Sequence, residues 1–260
     1  MSKRISALEQ ALGVRLFDRI GKKVQLTEAG ETLLPSAKRI LAELEESRRA
    51  ISNLSGKVSG QLKLGTSHHI GLHRLPPVLR GYTAKYPHVD LDIQFMDSED
   101  ACEGIIKGEL ELAIATLPEQ PQKNLSTEII WHDPLGIVVS NDHPISQKKN
   151  IPLAEVIQYP AILPSTGTFT RALLEQTPGL ETSNLNIAME TNYLETIKMM
   201  VSIGLGWSVL PISMISDDVR VLDVKKFSMQ RQLGIAFHAE RTLSNAASML
   251  LEQTRDYSDF

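Results

Sequence analysis

One cysteine, Cys102, is all this chain of 260 residues carries. No disulfide can close within it and no cysteine cage can hold a metal, which suits a reducing cytoplasm. Long hydrophobic runs are missing too. The longest stretch without charge, Met199 to Ser216, is interrupted by Gly204, Gly206 and Pro211, so it reads as a helix end, a turn and a buried strand, not as a membrane span. The start, Met1-Ser2-Lys3-Arg4, is basic, but an amphipathic pattern broken by charges follows it, which excludes a secretory signal. Enzyme signatures are also lacking: there is no Gly-x-Ser-x-Gly turn, no Walker loop and no His-Glu-x-x-His. Gly204-x-Gly206 lacks the third glycine of a dinucleotide site, and Trp207 beside it suits a core. We therefore expect no enzyme activity and assign no cofactor. No internal repeat of fixed period is present.

What is there is a globular composition, 42% hydrophobic and 22% charged. The net charge of -4 is unevenly spread. Residues 1–58 hold eleven Lys and Arg against seven Asp and Glu, while the remainder is acidic. A small basic head on an acidic body points to a polyanion contact at one end.

Ile5, Leu8 and Leu12 have helical spacing, with Gly13 as a natural stop. Two short apolar runs then flank Gly21-Lys22 and suggest a hairpin whose tip carries Arg19, Lys22 and Lys23. Thr27 suits a helix N-cap, with Glu28 and Glu31 in the first turn. The long helix that follows places Leu33, Ala37, Ile40, Leu44, Ser47, Ile51 and Leu54 alternately four and three apart, a seam for a partner helix. The alternative is a helix packed on its own globular body. Pro35 is expected to bend this helix or delay its start. After a short flexible linker at 55–60, strand candidates alternate with helical stretches, among them Leu125–Trp131, Leu135–Ser140 and a helix over Leu72–Tyr86. That alternation predicts an α/β protein with mainly parallel sheets.

Ala11-Leu12-Gly13-Val14-Arg15-Leu16-Phe17-Asp18-Arg19, followed by Leu26-Thr27-Glu28-Ala29-Gly30, resembles the segment after the recognition helix in LysR-type transcriptional regulators. Further along, Leu75-Pro76 and Tyr86-Pro87, Gly108-Glu109-Leu110-Glu111-Leu112-Ala113-Ile114, and Gly204-Leu205-Gly206-Trp207-Ser208-Val209-Leu210-Pro211 resemble motifs of that family's sensing domain, with Glu111 replacing the usual Asp. The resemblance covers essentially the whole chain. It implies a partial winged helix-turn-helix at 1–26, a linker and dimerisation helix at 27–55, and an α/β effector domain at 60–260. That domain would have the two-lobed fold of type 2 periplasmic binding proteins, with lobe one at about 60–132 and 239–260 and lobe two at about 133–236. The implied function is cytoplasmic regulation of transcription by a homodimer or homotetramer that senses a small effector.

The sequence departs from the family at its start. Met1 falls within the recognition helix, and roughly 30 residues of the DNA-binding module do not precede it. A misplaced start site, a shortened gene or a deliberately trimmed chain would account for this. Ser2, Lys3, Arg4, Arg19, Lys22 and Lys23 remain as candidate DNA contacts. Alone they offer mainly non-specific, salt-sensitive attraction to promoter DNA. The rival readings are an effector-binding, dimerising fragment without specific DNA recognition and, more remotely, a free solute-binding protein.

Ligands of such α/β folds gather at the C-terminal ends of strands. Thr66, Ser67, His68, His69, Ser98, Thr116, Pro164, Ser165, Thr168 and Phe169 fall there, and their hydroxyls and backbone amides suit a small, anionic effector. By the resemblance, His69 stands where the family often has a Ser or Thr that caps the effector. The bland alternative is that these residues are ordinary helix caps. His68, His69 and His73 form a cluster in which His69 and His73, four apart, share a helix face and could ligate a metal. No cysteine lies nearby, and a histidine in an effector pocket or at a helix start is commoner, so we assign no metal.

Overall fold

The computed structural model describes residues 3–21, 23–180 and 185–259. The chain divides into two compact units, 1–55 and 56–260.

In the first unit α1 (Lys3–Leu12) precedes a hairpin of β1 (Phe17–Ile20) and β2 (Lys23–Leu26), paired antiparallel with Phe17 opposite Leu26. The Glu9 carboxylate accepts the backbone N–H groups of Leu16 and Phe17 at 2.8 and 3.3 Å and so ties α1 to the hairpin. Thr27 caps α2 (Glu28–Asn53): its hydroxyl accepts from the Gly30 amide at 3.1 Å and donates to the Arg15 carbonyl at 2.6 Å. This satisfies one of the amides that a helix start leaves without an internal partner. Pro35 does not delay α2, which begins directly at Glu28 and runs through the proline. Of the seam residues, Ile40, Leu44, Ile51 and Leu54 are exposed, Leu54 by 87%, while Leu33 and Ala37 are half-buried.

The second unit contains, in order, β3 (Gly60–Thr66), α3 (His68–His73), α4 (Leu75–Lys85), β4 (Val89–Phe95), α5 (Ser98–Lys107), β5 (Leu112–Thr116) and β6 (Leu125–Ser140). There follow α6 (Leu153–Val156), β7 (Ala161–Leu163), α7 (Phe169–Glu175), β8 (Ile187–Glu190), α8 (Leu194–Ser202), β9 (Ser208–Pro211), β10 (Val219–Val221), β11 (Met229–His238) and α9 (Asn245–Arg255). The helix expected over Leu72–Tyr86 is two helices. The break falls at Arg74, just before Pro76 and Pro77, whose missing N–H groups are harmless in a first turn.

Strand alternation explains the layers. In β5, Leu112 and Ile114 face a core with Leu62, Leu64, Tyr82 and α9, while Ala113 and Ala115 face a second core against α5. In β6, Leu135, Ile137 and Val139 enter a core with Trp207, while Val138 packs against α8. Two lobes result around one seven-stranded sheet, ordered β10-β6-β11-β5-β3-β4 with β9 beside β6, and a separate parallel pair, β7-β8. Tyr82 and Trp131 pin the C-terminal segment onto lobe one, donating to the carbonyls of Ala246 at 2.7 Å and Tyr257 at 2.6 Å.

The sheets are not mainly parallel. β3–β4, β3–β5 and β7–β8 are parallel, but β11 runs against both β5 and β6, and β6 runs against β9 and β10. The reason is connectivity: the chain leaves lobe one along β6 and returns along β11, so these two crossing strands oppose each other. The two strands expected at Leu125–Trp131 and Leu135–Ser140 are the single strand β6, sixteen residues long. β11 makes the bend between lobes at a bulge between Leu233 and Gly234, where a Cβ on Gly234 would lie 2.0 Å from the Glu128 carbonyl oxygen. Gly206 is required likewise, because a Cβ there would lie 2.2 Å from the Pro160 carbonyl oxygen. That close approach lets Trp207 pair with the Pro160 carbonyl and bury completely.

Candidate functional site

Between the lobes, at the C-terminal ends of β3, β5 and β7, lies a cavity of about 50 Å³, room for a few waters. Ser67, His68, His69, Asp97, Ser98, Glu99 and Thr116 line it from lobe one. Pro164, Thr168, Thr170, Asn192 and Leu194 line it from lobe two, and Arg231 from the crossing strand β11. Of the ten residues selected from sequence, seven therefore meet at one place: Ser67, His68, His69, Ser98, Thr116, Pro164 and Thr168.

The other three do not line it. Thr66 is buried and donates its hydroxyl to the Ile114 carbonyl at 2.8 Å, splicing β3 to β5. Ser165 commits its backbone amide to Asn192 Oδ1 at 2.9 Å and its carbonyl to the Thr168 hydroxyl at 2.9 Å. Phe169 turns its ring into the core of Ala101 and Ala115 across the lobe boundary. The capping alternative holds for Thr168, whose hydroxyl accepts from Arg171 N. It fails for Ser67, which makes no cap bond, and for Ser98, whose hydroxyl accepts from the Thr116 amide at 3.1 Å.

Arg231 is the residue that sequence reading missed most consequentially. It is 5% exposed, directs Nε to Asp133 Oδ2 at 3.0 Å with Nη2 on the same oxygen, and donates from Nη1 to the Thr170 hydroxyl at 3.1 Å. Asp133 is 1% exposed. A dry, paired charge at a cleft wall holds a polar anchor in a fixed place. No local motif marks Arg231: it sits between Gln230 and Gln232 in the strand Met229–His238, whose later residues, Leu233–Phe237, are apolar.

Polar contacts draw the lobes together. Asn192 Nδ2 donates to Asp97 Oδ2 at 2.6 Å, the Phe169 amide donates to Glu99 Oε1, and His73 Nε2 meets Glu195 Oε1 at 3.1 Å. Burial pushes the Glu99 carboxyl above the usual carboxylate range, against the Phe169 amide, which favours its anion. Burial, and then the charge of Arg231, push His69 down to about 4, so its imidazole is neutral at pH 7. Among the described residues, His69, His73 and Glu195 also form a group whose ligand atoms lie within 4.8 Å of one another.

The candidate DNA contacts Ser2 and Lys22 lie outside the described residues, and the Arg19 side chain is not described. Lys3 and Arg4 open α1, and Lys23 opens β2 at the hairpin. No helix among the described residues is long and apolar enough to cross a membrane.

A helix, a hairpin and a long helix with an apolar row make one unit, and a two-lobed α/β fold around a polar cavity, the form of a small-molecule binding domain, makes the other. Residues 55–259 match the LysR substrate binding domain, and residues 1–31 match the bacterial regulatory helix-turn-helix protein, lysR family. The chain belongs to the LysR family of transcriptional regulators. It is 32% identical over 259 residues to a probable RuBisCO transcriptional regulator of Thalassiosira pseudonana, covering 95% of this chain and 84% of that one. Among solved structures it resembles a full-length OxyR variant from Pseudomonas aeruginosa, with TM-score 0.68 and 26% identity over 97% of this chain and 82% of that one. The effector binding domain of QuiR in complex with shikimate shares the fold, with TM-score 0.67 and 19% identity over 77% of this chain and 97% of that one.

Proposed function

We propose that the cleft between the lobes binds a small hydroxylated carboxylate and that its occupancy regulates transcription in the cytoplasm, without catalysis. The observation that carries this reading is the cleft itself: the hydroxyl-bearing residues Ser67, Ser98, Thr116, Thr168 and Thr170 line it, with the buried Arg231, paired to Asp133, in its wall. Two carboxyls also line it, but each is engaged: Asp97 by Asn192, and Glu99 by the Phe169 amide. The QuiR domain, of like fold, binds shikimate, a polyhydroxylated carboxylate.

The division into a head at 1–26, a linker helix at 27–55 and an effector domain at 60–260, with lobes at 60–132 plus 239–260 and at 133–236, belongs to the same proposal. Linker helices pair along Leu33, Ala37, Ile40, Leu44, Ile51 and Leu54 to make a homodimer or homotetramer. Promoter DNA is met by Ser2, Lys3 and Arg4 and by Arg19, Lys22 and Lys23. Effector binding shifts the population of lobe angles by competing with the Asn192–Asp97 and Phe169–Glu99 contacts, and the paired helices carry the change to the DNA. Calorimetric titration of the chain with a panel of small hydroxylated carboxylates tests the reading. Saturable binding that Arg231→Met and Thr116→Val both weaken supports it. Binding indifferent to both substitutions refutes the placement of the site, and effector-independent footprints on promoter DNA refute the regulatory link.

A further inference from the structure

Beside the cavity lies a cluster of which the effector reading uses only His69. α3 sets His69 and His73 one turn apart on one face, with ring centroids 4.8 Å apart. From the opposite lobe α8 brings the Glu195 carboxylate between them: Oε1 lies 3.1 Å from His73 Nε2 and 3.6 Å from His69 Nδ1. His69 is 5% exposed, and its Nδ1 has no hydrogen-bond partner. Buried polar atoms are ordinarily satisfied, so an orphaned imidazole nitrogen aimed at a carboxylate and a second imidazole marks a place built for something else.

We propose that His69, His73 and Glu195 form a site for a divalent transition metal of the zinc class, which clasps the two lobes together. The donor set is two imidazole nitrogens and one carboxylate oxygen, a borderline-soft combination that selects Zn²⁺ and its neighbours over Mg²⁺ or Ca²⁺. Three protein ligands leave one tetrahedral position open. His69 also lines the cavity, so a water or an effector oxygen from that side can fill it. Glu195 supplies the anionic ligand, and the charge of Arg231 near His69 is opposed by its partner Asp133. Because α3 belongs to lobe one and α8 to lobe two, the metal bonds to both. It thereby acts as a co-effector that resists opening of the clamp.

The test uses the full chain, stripped with chelator, dialysed and titrated with Zn²⁺ alone in a calorimeter. One ion per chain is expected in the native protein. His73→Ala and Glu195→Gln, both at partly exposed positions, each weaken it by about tenfold or more, while His88→Ala, at a turn elsewhere, leaves it unchanged. Stoichiometric binding that survives both ligand substitutions, or no binding at all, overturns the site. Cobalt provides a measurement independent of any variant. Bound Co²⁺ should give the intense visible bands of a four- or five-coordinate ion, and a weak octahedral spectrum refutes the ligand set. Hydrogen exchange in α3 and α8 should slow together on Zn²⁺ addition; unchanged exchange in either helix refutes the clasp. The metal alone is the probe, so its failure leaves the effector reading untouched.

Discussion

Removing Arg231 should damage the protein out of proportion to the volume lost. Its guanidinium forks onto Asp133 Oδ2, and both groups are almost wholly out of water. Arg231→Met keeps much of the apolar bulk but leaves the Asp133 carboxylate dry and unpaired. Breaking a buried pair from one side costs about 3–5 kcal/mol, whereas replacing both charges by apolar groups is often close to neutral. In a domain of the size of residues 56–260, each kcal/mol moves the melting midpoint by about 2–4 °C, so the single variant should melt on the order of 10 °C lower. The double variant Arg231→Met with Asp133→Leu should recover most of that loss. Differential scanning calorimetry of the native chain, both single variants and the double variant closes the cycle. The effector reading adds a second expectation: the double variant, though stable, should not bind the carboxylate. A single variant that melts within about 2 °C of native, or single effects that simply add in the double variant, would show that the pair is not a dry, coupled one.

Four other outcomes follow from the same structure. Thr27→Ala removes the cap that accepts from the Gly30 amide and should cost about 1 kcal/mol in denaturant melts; an unchanged midpoint contradicts the cap. His69 falls from 6.5 in the unfolded chain to about 4 in the fold, so unfolded chains bind its proton more readily between those values. Stability is then complete above about pH 6.5 and declines by about 3 kcal/mol as pH falls toward 4, measured in chelator by urea midpoints. The same slope in His69→Gln would assign the loss to other groups. Cys102 is buried and burial pushes its thiol up to about 12, so iodoacetamide should leave the native chain unmodified and label it only after unfolding. Ile40→Glu, at a position 66% exposed within one chain, should shift the molar mass in light scattering toward the monomer without changing helicity; an unchanged assembly rules out the seam.

Local chemistry was legible along the chain. Thr27 announced the start of α2, the four-three spacing from Leu33 to Leu54 announced its apolar row, and Gly204-x-Gly206-Trp207 announced a tight turn into a core strand. The hydroxyl-bearing loops after β3, β5 and β7 could be placed because strand ends and helix starts leave marks within a few residues. Only the tertiary structure decided what these loops close upon. Glu99 meets Phe169 across 70 residues, Asn192 meets Asp97 across 95 and Arg231 meets Asp133 across 98, and no period or spacing encodes such a meeting. Strand alternation likewise turned Thr66 inward to Ile114, and packing across the lobes took Phe169 out of the cavity. His69 and His73 were visible as neighbours on one helix turn. Their third companion, Glu195, lies 122 residues beyond His73 and arrives only because β6 and β11 fold one lobe over the other. Sequence fixes which face a side chain takes on its own element; which faces then meet depends on long-range burial, the term no local pattern contains.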